Sequence, residues 1–479
     1  MGQFPEMFRL AKILEKNSLF NPIIYFNLGA GGDPNVIRSL ESGIDILDYY
    51  YGYVQGFGAA MRTQSAVEVI HEKELKTQVE STPAPSLKQK VKQNFPRLFY
   101  ATKKIVHAIY KNLHLLGFVH RVTVKLKRSR KERKLLKLFD IKLMIFAEDS
   151  EAYHTPQLIK SGHDFNIKSV VFPYTFANQY EFLEDAFFHD LRVNKSISNF
   201  LVGSFFPKWT QKYKGKRLLK SSPALIFASE FFKGSPPNPW VMSSGFADVI
   251  AVESQYMKEY YRNAGIPEDQ MVETGSPSLD NLYEIIKNRD LYRTKLAAKL
   301  GLDVKKSWVV CAIPPSQWPR AGVGFKSYKQ FLKAFITFLK SFDGVELIFK
   351  IHPRLEVAEA KRYCKEFGIA FIHDDTSDLI AVSDMYVASA SSTMRWSLAM
   401  GIPTINYDLY DYNYGDFACA DNYHVTVKFE EFQSVYTKLY EQLVEKEKSS
   451  YLMQERFAVL DGQSQRRIMD LFTFLVPEI

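Results

Sequence analysis

Short runs of β-branched and aromatic residues alternate with longer amphipathic segments along most of the chain. Parallel strands need long crossover connections, usually helices, so this alternation is typical of α/β proteins with parallel sheets. We predict strands at Ile23–Phe26, Ile141–Ala147, Ser169–Phe172, Ala224–Ala228, Ala247–Val252, Trp308–Ile313, Val345–Ile351, Met385–Ala388 and Thr404–Asn406. The predicted helices include Met7–Leu14, Phe325–Phe342, Ala358–Phe367 and Glu430–Lys446.

The segment from Ser383 to Asn406 is the most informative for function. A predicted strand leads into a loop of small residues, and a helix then begins near Thr393 and ends at Gly401. Hydroxyls and backbone N–H groups at a helix N-terminus favour negative charge, which predicts a phosphate site. The alternative is that the serines only cap the helix. The candidate residues are Ser389, Ser391, Ser392 and Thr393.

A histidine between two basic residues follows the predicted strand that begins at Val345. The segment reads Lys350-Ile351-His352-Pro353-Arg354, and Pro353 disfavours a helical conformation at His352. Cationic side chains at the carboxyl end of a strand are suited to contact a pyrophosphate or to protonate a leaving phosphate. The segment therefore predicts a second part of the same phosphate site.

Composition and charge limit the class of protein. The 479 residues are 46% hydrophobic and carry a formal net charge of +9, which favours a globular chain with anionic partners. No apolar run approaches the roughly 18 residues that a membrane-spanning helix needs, and Met1–Lys16 lacks the features of a secretory signal. Cys311, Cys364 and Cys419 lie too far apart in sequence to suggest a disulfide framework or structural zinc. We therefore expect a cytoplasmic protein.

A strongly basic run extends from His120 to Lys137, in an insertion predicted near residues 81–137 that begins with the loop Ser81–Ser86. It holds nine cationic residues: Arg121, Lys125, Lys127, Arg128, Arg130, Lys131, Arg133, Lys134 and Lys137. One interpretation is a solvated helix face, and the other is a patch that contacts anionic lipid or an anionic glycan acceptor. The run matches no nucleic-acid-binding motif, so no nucleic acid is expected as a partner.

In the first half of the chain, two carboxylates follow a predicted strand. Glu148 and Asp149 come directly after Ile141–Ala147, at the carboxyl end of a sheet. A carboxylate there is placed to take a proton from an acceptor hydroxyl, or to act as a nucleophile in a double displacement. A capping or loop role is the alternative. His163 and Asp164 form a second candidate pair.

The remaining candidates lie in loops that we expect to border a cleft between the two halves. They are Glu273, Gly275 and Ser276 near a hinge, Pro314 and Ser316 after the first strand of the second half, and Asp408 and Asp411 in an aromatic and acidic loop. For the aromatic loop, stacking on a sugar or base and ordinary surface packing are both open interpretations. The loop Asn27–Gly32 does not match G-x-G-x-x-G, so a dinucleotide site is not supported.

The two phosphate-binding segments together resemble a known enzyme group. K-x-H-P after one strand, followed by S-D, a Ser-Ser loop, a helix and G-x-P, is similar to the C-terminal half of GT-B glycosyltransferases. The nearest resemblance is to bacterial polysialyltransferases, capsular and lipopolysaccharide Kdo transferases, and CDP-glycerol glycerophosphotransferases. The stretch Ala247–Asp280 also resembles the end of the N-terminal domain of GT-B enzymes and of sugar-nucleotide 2-epimerases.

This resemblance implies an architecture and roles for particular residues. It implies two Rossmann-like domains facing across a cleft, which we place at residues 1–280 for the acceptor and 281–479 for the donor, with a last helix that crosses back. It further implies that His352, Pro353, Ser391 and Ser392 hold the phosphate and nucleotide of the donor. It implies no obligatory metal and no cofactor, since the nucleotide-sugar is a substrate.

The preferred hypothesis is a glycosyltransferase that moves a sugar from a nucleotide-sugar to a bacterial surface glycan or lipid-linked glycan. A CMP-activated acidic sugar such as Kdo or a sialic-acid-like sugar is the preferred donor, and a UDP-sugar is the second choice. A sugar-nucleotide 2-epimerase and a non-enzymatic protein that binds anionic surfaces are the alternatives. Peripheral contact with the inner face of the cytoplasmic membrane is expected through residues 120–137.

Overall fold

The structure is a computed structural model of the chain. It describes residues 4–16, 21–26, 39, 42, 44–48, 52–54, 114–151, 155–175, 178–314, 316, 322–350, 362, 364–372, 376–445 and 453–477. Several predicted features lie outside the described residues: the loop Asn27–Gly32, the loop Ser81–Ser86, and the site residues His352, Pro353 and Arg354.

The strands form two parallel sheets and two smaller ones. In chain order they are β1 (Ile23–Phe26), β2 (Asp45–Asp48), β3 (Gly52–Val54), β4 (Leu143–Phe146), β5 (Lys168–Val171), β6 (Thr210–Tyr213), β7 (Lys216–Leu219), β8 (Val249–Val252), β9 (Met271–Glu273), β10 (Ser307–Ala312), β11 (Val345–Lys350), β12 (Ala370–Ile372), β13 (Met385–Ala388), β14 (Thr404–Tyr407) and β15 (Tyr423–Thr426). The order β4-β5-β8-β9 makes the N-terminal parallel sheet, and β12-β11-β10-β13-β14-β15 makes the C-terminal one. The prediction of an α/β fold with two Rossmann-like units is confirmed.

Helices connect and cover these sheets. They are α1 (Phe4–Lys16), α2 (His114–Leu138), α3 (Thr155–His163), α4 (Gln179–Phe188), α5 (Ile197–Phe205), α6 (Pro223–Phe231), α7 (Gln255–Asn263), α8 (Pro277–Lys287), α9 (Arg289–Leu300), α10 (Tyr328–Leu339), α11 (Thr376–Ala381), α12 (Met394–Ala399), α13 (Phe429–Val444) and α14 (Ser464–Leu475). Among the helices that the structure describes, none is both long enough and apolar enough to cross a bilayer.

The C-terminal sheet has the strand order of a dinucleotide-binding Rossmann fold. Numbered from β10, its six strands run 3-2-1-4-5-6, and every neighbouring pair is parallel. Its central strands β10, β11 and β13 are mostly apolar because both of their faces are covered. One face packs on an aromatic cluster that includes Phe331, Phe335, Tyr407 and Phe432. In such sheets ligands bind beyond the carboxyl ends of the strands, where the order reverses, here between β10 and β13.

The other face of the C-terminal sheet shares a core with the N-terminal domain. This cluster joins Val310 of β10 and Tyr386 of β13 to Ile250 of β8 and Met257 of α7. The two parallel sheets therefore meet through a continuous hydrophobic core as well as through the loops at their carboxyl ends.

The last helix returns to the N-terminal sheet. On α14, Ile468, Leu471 and Phe472 pack against Val170 of β5 and Ala251 of β8. Asp280 of α8 fixes the start of this helix, since its carboxylate accepts hydrogen bonds of 2.8 Å from the backbone N–H groups of Ser464 and Gln465.

The N-terminal residues form a small sheet beside this core. Strand β2 pairs in parallel with β1 and antiparallel with β3. Helix α1 includes the residues of the predicted helix Met7–Leu14. Its Phe8 and Ala11 pack against Ile44.

The prediction of a strand at Ala224–Ala228 is wrong, because these residues lie within helix α6. A short apolar run does not by itself distinguish a buried strand from a buried helix segment. The deciding residues precede it: Ser222 is the N-cap, and Pro223 occupies the first helical position, where its fixed φ favours a helix and its missing N–H costs nothing.

Candidate functional site

The donor-side loop follows β13 at the point where the strand order of the C-terminal sheet reverses. Strand β13 ends at Ala388, and a turn then leads into α12, which begins at Met394. Strand β10 ends alongside it at Ala312, which is followed by Pro314 and Ser316. The fold therefore brings together two of the segments that the sequence assigned to the donor.

Internal hydrogen bonds hold the shape of this loop. The Thr393 hydroxyl lies 2.6 Å from the Tyr386 hydroxyl and 2.8 Å from that of Ser391. Ala390 has a φ of 44°, a conformation that costs a non-glycine residue of order 1–3 kcal/mol, and its N–H donates to Asn406 Oδ1 at 2.9 Å. Thr393 and Asn406 thus shape the loop that presents the hydroxyls of the serines.

The N-terminal domain contacts this loop directly. The hydroxyls of Thr175, in the loop after β5, and of Ser392 lie 2.7 Å apart. Close by, Asn178 Nδ2 donates to Asp416 Oδ1 at 2.8 Å, and the rings of Tyr180 and Tyr414 stack. The carboxyl ends of both parallel sheets therefore border the same cleft.

A buried ion pair joins the two domains behind the donor loop. Glu253 follows β8 and is 1% exposed, and Arg395 in the first turn of α12 is 4% exposed. The guanidinium binds the carboxylate through two hydrogen bonds of 3.0 and 3.1 Å, and Trp396 Nε1 donates to the same carboxylate at 2.9 Å. Arg395 also donates to the carbonyl of Ser392 at 2.8 Å. The pair therefore fixes the loop that carries Ser392.

Of the three cationic residues in the segment Lys350–Arg354, the structure describes Lys350. It is the last residue of β11, is 7% exposed, and lies beside Ala312 of β10 in the strand register. Its backbone carbonyl accepts from Ile313 N–H, which ties the ends of the two strands together. Pro314 is buried and its carbonyl accepts from the Tyr328 hydroxyl at 2.6 Å, whereas Ser316 is exposed.

The two carboxylates after β4 have different environments. Asp149 is fully buried, and its carboxylate accepts from the backbone N–H groups of Ser244, Phe246 and Ala247. Burial raises the pKa of Asp149, and these hydrogen bonds oppose the rise. Its carboxylate is occupied in holding a loop, so Asp149 is structural. Glu148, also buried, accepts from the Ser150 hydroxyl at 3.1 Å and is the better candidate for acceptor chemistry.

Two other predicted carboxylates are not available at the site. Asp164 lies at the amino edge of the N-terminal sheet, where α3 ends before β5, and it pairs with Arg133 and Lys160. Asp408 does lie at a carboxyl end, but its buried carboxylate accepts from the N–H groups of Tyr412 and Asn413 and closes a turn.

His163, Gly275 and Ser276 do not supply free polar groups to the cleft, whereas the side chains of Glu273 and Asp411 are exposed. His163 contacts Asp248 at 2.8 Å, at the same amino edge as Asp164. Gly275 has a φ of 76°, and a side chain there would collide with Ser464 of α14. The Ser276 hydroxyl lies 2.9 Å from that of Ser278. Gly275 therefore packs against α14, and the Ser276 hydroxyl is paired at the start of α8.

Sequence reasoning missed the residues that join the domains. Glu253 comes directly after a predicted strand, so its position at the carboxyl end of a sheet could be predicted from the sequence. Its partner Arg395 could not, because it lies in the other domain. Sequence motifs do not include Thr175, Asn178 or Asp416. Only the way the two domains pack gives them a role.

The comparison with protein families covers the donor side of this site. Residues 240–473 match the model of the CDP-glycerol:poly(glycerophosphate) glycerophosphotransferase family. The match spans just under half of the chain and includes Glu253, the donor loop and α14. The predicted resemblance to the CDP-glycerol group of GT-B enzymes is confirmed, and the protein is a transferase.

The solved structures that are similar to this chain include three proteins. The wall teichoic acid polymerase TagF is 14% identical, with a TM-score of 0.40 over 77% of this chain and 99% of that one. S. aureus MnaA with UDP is 11% identical, with a TM-score of 0.43 over 74% and 82% of the two chains. UDP-GlcNAc 2-epimerase from Neisseria meningitidis is 11% identical, with a TM-score of 0.42 over 73% and 81%. Such low values carry no functional conclusion. No curated protein matches the sequence.

Loss of the interdomain ion pair is expected to destabilise the protein. Glu253→Ala leaves the Arg395 guanidinium buried without its counter-charge, which costs about 3–5 kcal/mol in the free energy of unfolding. Urea denaturation measures this loss. Glu259→Ala is the matched control, because it breaks a partly exposed pair with Arg456 that is worth about 1 kcal/mol or less. Equal losses in the two variants would contradict the assigned role of Glu253.

Asp416 is expected to make stability depend on pH. Burial raises its pKa to about 6, and the hydrogen bond from Asn178 opposes the rise. The folded protein therefore holds a proton that the unfolded chain releases near the ordinary value of 3.8, so this contribution to stability falls as pH rises from 3.8 to about 6. Asp416→Asn removes this cost and stabilises the protein above pH 6 by about 1–3 kcal/mol.

The measurement is the free energy of unfolding of wild type and Asp416→Asn on both sides of this pH range. Exposed Asp421→Asn controls for the loss of one negative charge in the same loop. A difference between Asp416→Asn and wild type that does not change with pH would show that Asp416 does not titrate in this way.

Proposed function

We propose that the protein transfers a polyol-phosphate unit, such as glycerol phosphate, from a CDP-linked donor to a hydroxyl of a surface polymer. The main support is that the region matching the glycerophosphotransferase family carries the donor loop and Lys350 at the carboxyl edge of its sheet. The family description names CDP-glycerol as the donor. That favours a CDP-linked donor over the CMP-linked acidic sugar preferred from the sequence.

On the donor side, the proposal places the pyrophosphate between the end of β11 and the loop after β13. Lys350 supplies positive charge, and Ser391 and Ser392 supply hydroxyl donors. Fixed donors and cations stabilise charge that develops on a leaving phosphate, which is usually a large part of catalysis in such sites. His352 and Arg354, close to Lys350 in sequence, are proposed to neutralise the leaving nucleotide.

The proposed reaction breaks the phosphorus–oxygen bond between CMP and the β-phosphoryl group. The acceptor hydroxyl oxygen forms a new bond to the β-phosphorus, its proton goes to a carboxylate, and CMP leaves with the bridging oxygen. We assign the proton acceptor to Glu148, because it lies at the carboxyl edge of the N-terminal sheet and Asp149 beside it is occupied by backbone N–H groups.

The acceptor is proposed to be a lipid-linked polymer at the inner face of the cytoplasmic membrane. We propose that the reaction requires no metal ion. Among the described residues, no group of three His, Cys, Asp or Glu side chains lies close enough to hold a metal ion.

The donor nucleotide is tested by thermal shift of the purified chain with CDP-glycerol, CDP, CMP, CMP-Kdo, UDP and NAD. We expect CDP-glycerol and CDP to raise the melting temperature most, and the shift to be lost in Ser391→Ala/Ser392→Ala. Exposed Ser341→Ala should keep it. A response to CMP and CMP-Kdo but not to CDP would replace the donor with a CMP-activated sugar. A response to UDP alone would favour a UDP-sugar enzyme.

The assignment of the acceptor base is tested by transfer of label from CDP-[¹⁴C]glycerol to a membrane acceptor. Glu148→Gln is expected to lower kcat by about 100-fold or more with little change in melting temperature, because a positioned general base contributes about 10²–10⁴-fold. Asp149→Asn, in contrast, should lower the melting temperature because it weakens three buried backbone contacts. His352→Ala should abolish transfer in a folded protein. Wild-type turnover in Glu148→Gln would remove Glu148 from the mechanism.

A further inference from the structure

Aromatic rings of the N-terminal domain enclose the side chain of Lys220, directly after β7. Its Nζ atom lies 3.4 Å from the ring centre of Phe182 on α4 and 6.0 Å from that of Trp240. Trp240 is buried, and Phe182 and Lys220 are half-buried. Aromatic faces attract an ammonium group but do not neutralise its charge. The rings therefore fix the position of a cation whose charge stays available.

The ammonium group of Lys220 has no anionic partner of its own. In the same hairpin, Lys214 pairs with the carboxylate of Glu184. For Lys220, none of the residues that the structure describes offers a carboxylate within ion-pair distance or an acceptor for a hydrogen bond from Nζ. Asp185 and Glu148 act on it at longer range, through their charges alone.

The surroundings of Lys220 favour an anionic ligand. Burial lowers the pKa of Lys220 to about 8, and the carboxylates of Asp185 on α4 and of Glu148 after β4 oppose this fall. At pH 7 the side chain is therefore still mostly protonated, although burial has removed part of its hydration. A group that carries negative charge and accepts hydrogen bonds would replace the interactions that were lost with water.

The aromatic cage lies on the acceptor side of the cleft. Close after Trp240, the backbone carbonyl of Met242 accepts from the N–H of Asp149 at 3.3 Å, so this segment packs beside Glu148. On the other side of the cage, helix α4 begins directly after Asn178, which binds the C-terminal domain. A cation and the proposed acceptor base therefore lie near each other without being in contact.

We propose that Lys220 binds a phosphate group of the acceptor and thereby positions the acceptor hydroxyl for Glu148. This inference rests on the proposed function and adds to it the group of the acceptor that is recognised. The family description names poly(glycerophosphate), a polymer whose terminal hydroxyl lies one glycerol unit from a phosphodiester. Such an end presents an anion to Lys220 and a hydroxyl to Glu148. A neutral glycan would leave the ammonium group without a partner, so Lys220 also selects for a charged acceptor.

The position of Lys220 favours the acceptor over the donor as the source of this phosphate. The donor loop and Lys350 belong to the C-terminal domain, whereas Lys220 and both rings of its cage belong to the N-terminal domain. The donor pyrophosphate is proposed to lie against the C-terminal sheet. A phosphate held by Lys220 is therefore assigned to the polymer.

The test is calorimetric titration of the purified full-length chain with glycerophosphoglycerol, a single phosphodiester between two glycerol units, in the absence of donor. We expect Lys220→Met to bind it about tenfold or more weakly at an unchanged melting temperature. The reason is that methionine keeps an apolar stem between the rings but loses a charge-assisted hydrogen bond. Lys220→Arg should keep part of the affinity. Lys216→Met is the matched control, because Lys216 Nζ lies 4.5 Å from the ring centre of Phe187 but the residue is exposed.

The affinity of wild type should also fall as pH rises through about 8, because Lys220 releases its proton there while the phosphodiester keeps its charge. Full affinity in Lys220→Met, an affinity that does not change with pH, or no binding by wild type would overturn the proposal. Loss of the CDP-induced thermal shift in Lys220→Met, with binding of glycerophosphoglycerol retained, would assign Lys220 to the donor instead. Failure of the proposed donor is a separate result, in which wild type does not respond to CDP but still binds glycerophosphoglycerol.

Discussion

The ion pair between Glu253 and Arg395 is the interaction on which the geometry of the site depends. Each side chain is almost completely buried, and neither charge is tolerable in that position without the other. The carboxylate belongs to the N-terminal domain and the guanidinium to the C-terminal domain. Because Arg395 also holds the carbonyl of Ser392, the shape of the donor loop is set by a residue of the opposite domain. Domain packing therefore fixes the shape of the loop that is proposed to bind the donor.

The strand order explains why the pair lies where it does. In both parallel sheets the loops that carry polar residues follow the carboxyl ends of strands, and the two sheets face each other across these edges. Glu253 follows β8, and the loop before Arg395 follows β13. The contact between Thr175 and Ser392 is a second one, nearer to solvent, between loops that follow strands of the two sheets. A ligand between the domains would thus meet groups already positioned by contacts between protein residues.

The sequence predicted the positions of strands and loops better than it predicted the roles of individual side chains. Strands β1 and β13 and the loop after β13 were predicted at their observed positions, because runs of β-branched and aromatic residues and loops of small residues leave strong local signals. The availability of a carboxylate leaves no such signal. Asp149 follows a strand just as Glu148 does, yet the N–H groups that bind it come from Ser244–Ala247, far along the chain. Only the tertiary structure distinguishes the environment of Asp149 from that of Glu148.

Tertiary contacts also determine the environment of Glu151, in the loop that carries Glu148. Lys125 and Glu151 are both buried, so their pair is costly unless each is fully hydrogen-bonded, and Ser229 supplies the further partner. The three groups come from α2, from the loop after β4 and from α6. The basic helix, which the sequence suggested as a solvated face or a lipid contact, is thereby anchored to the loop of Glu148. The inner face of this helix therefore helps to position the loop of Glu148, the carboxylate that is proposed as the acceptor base.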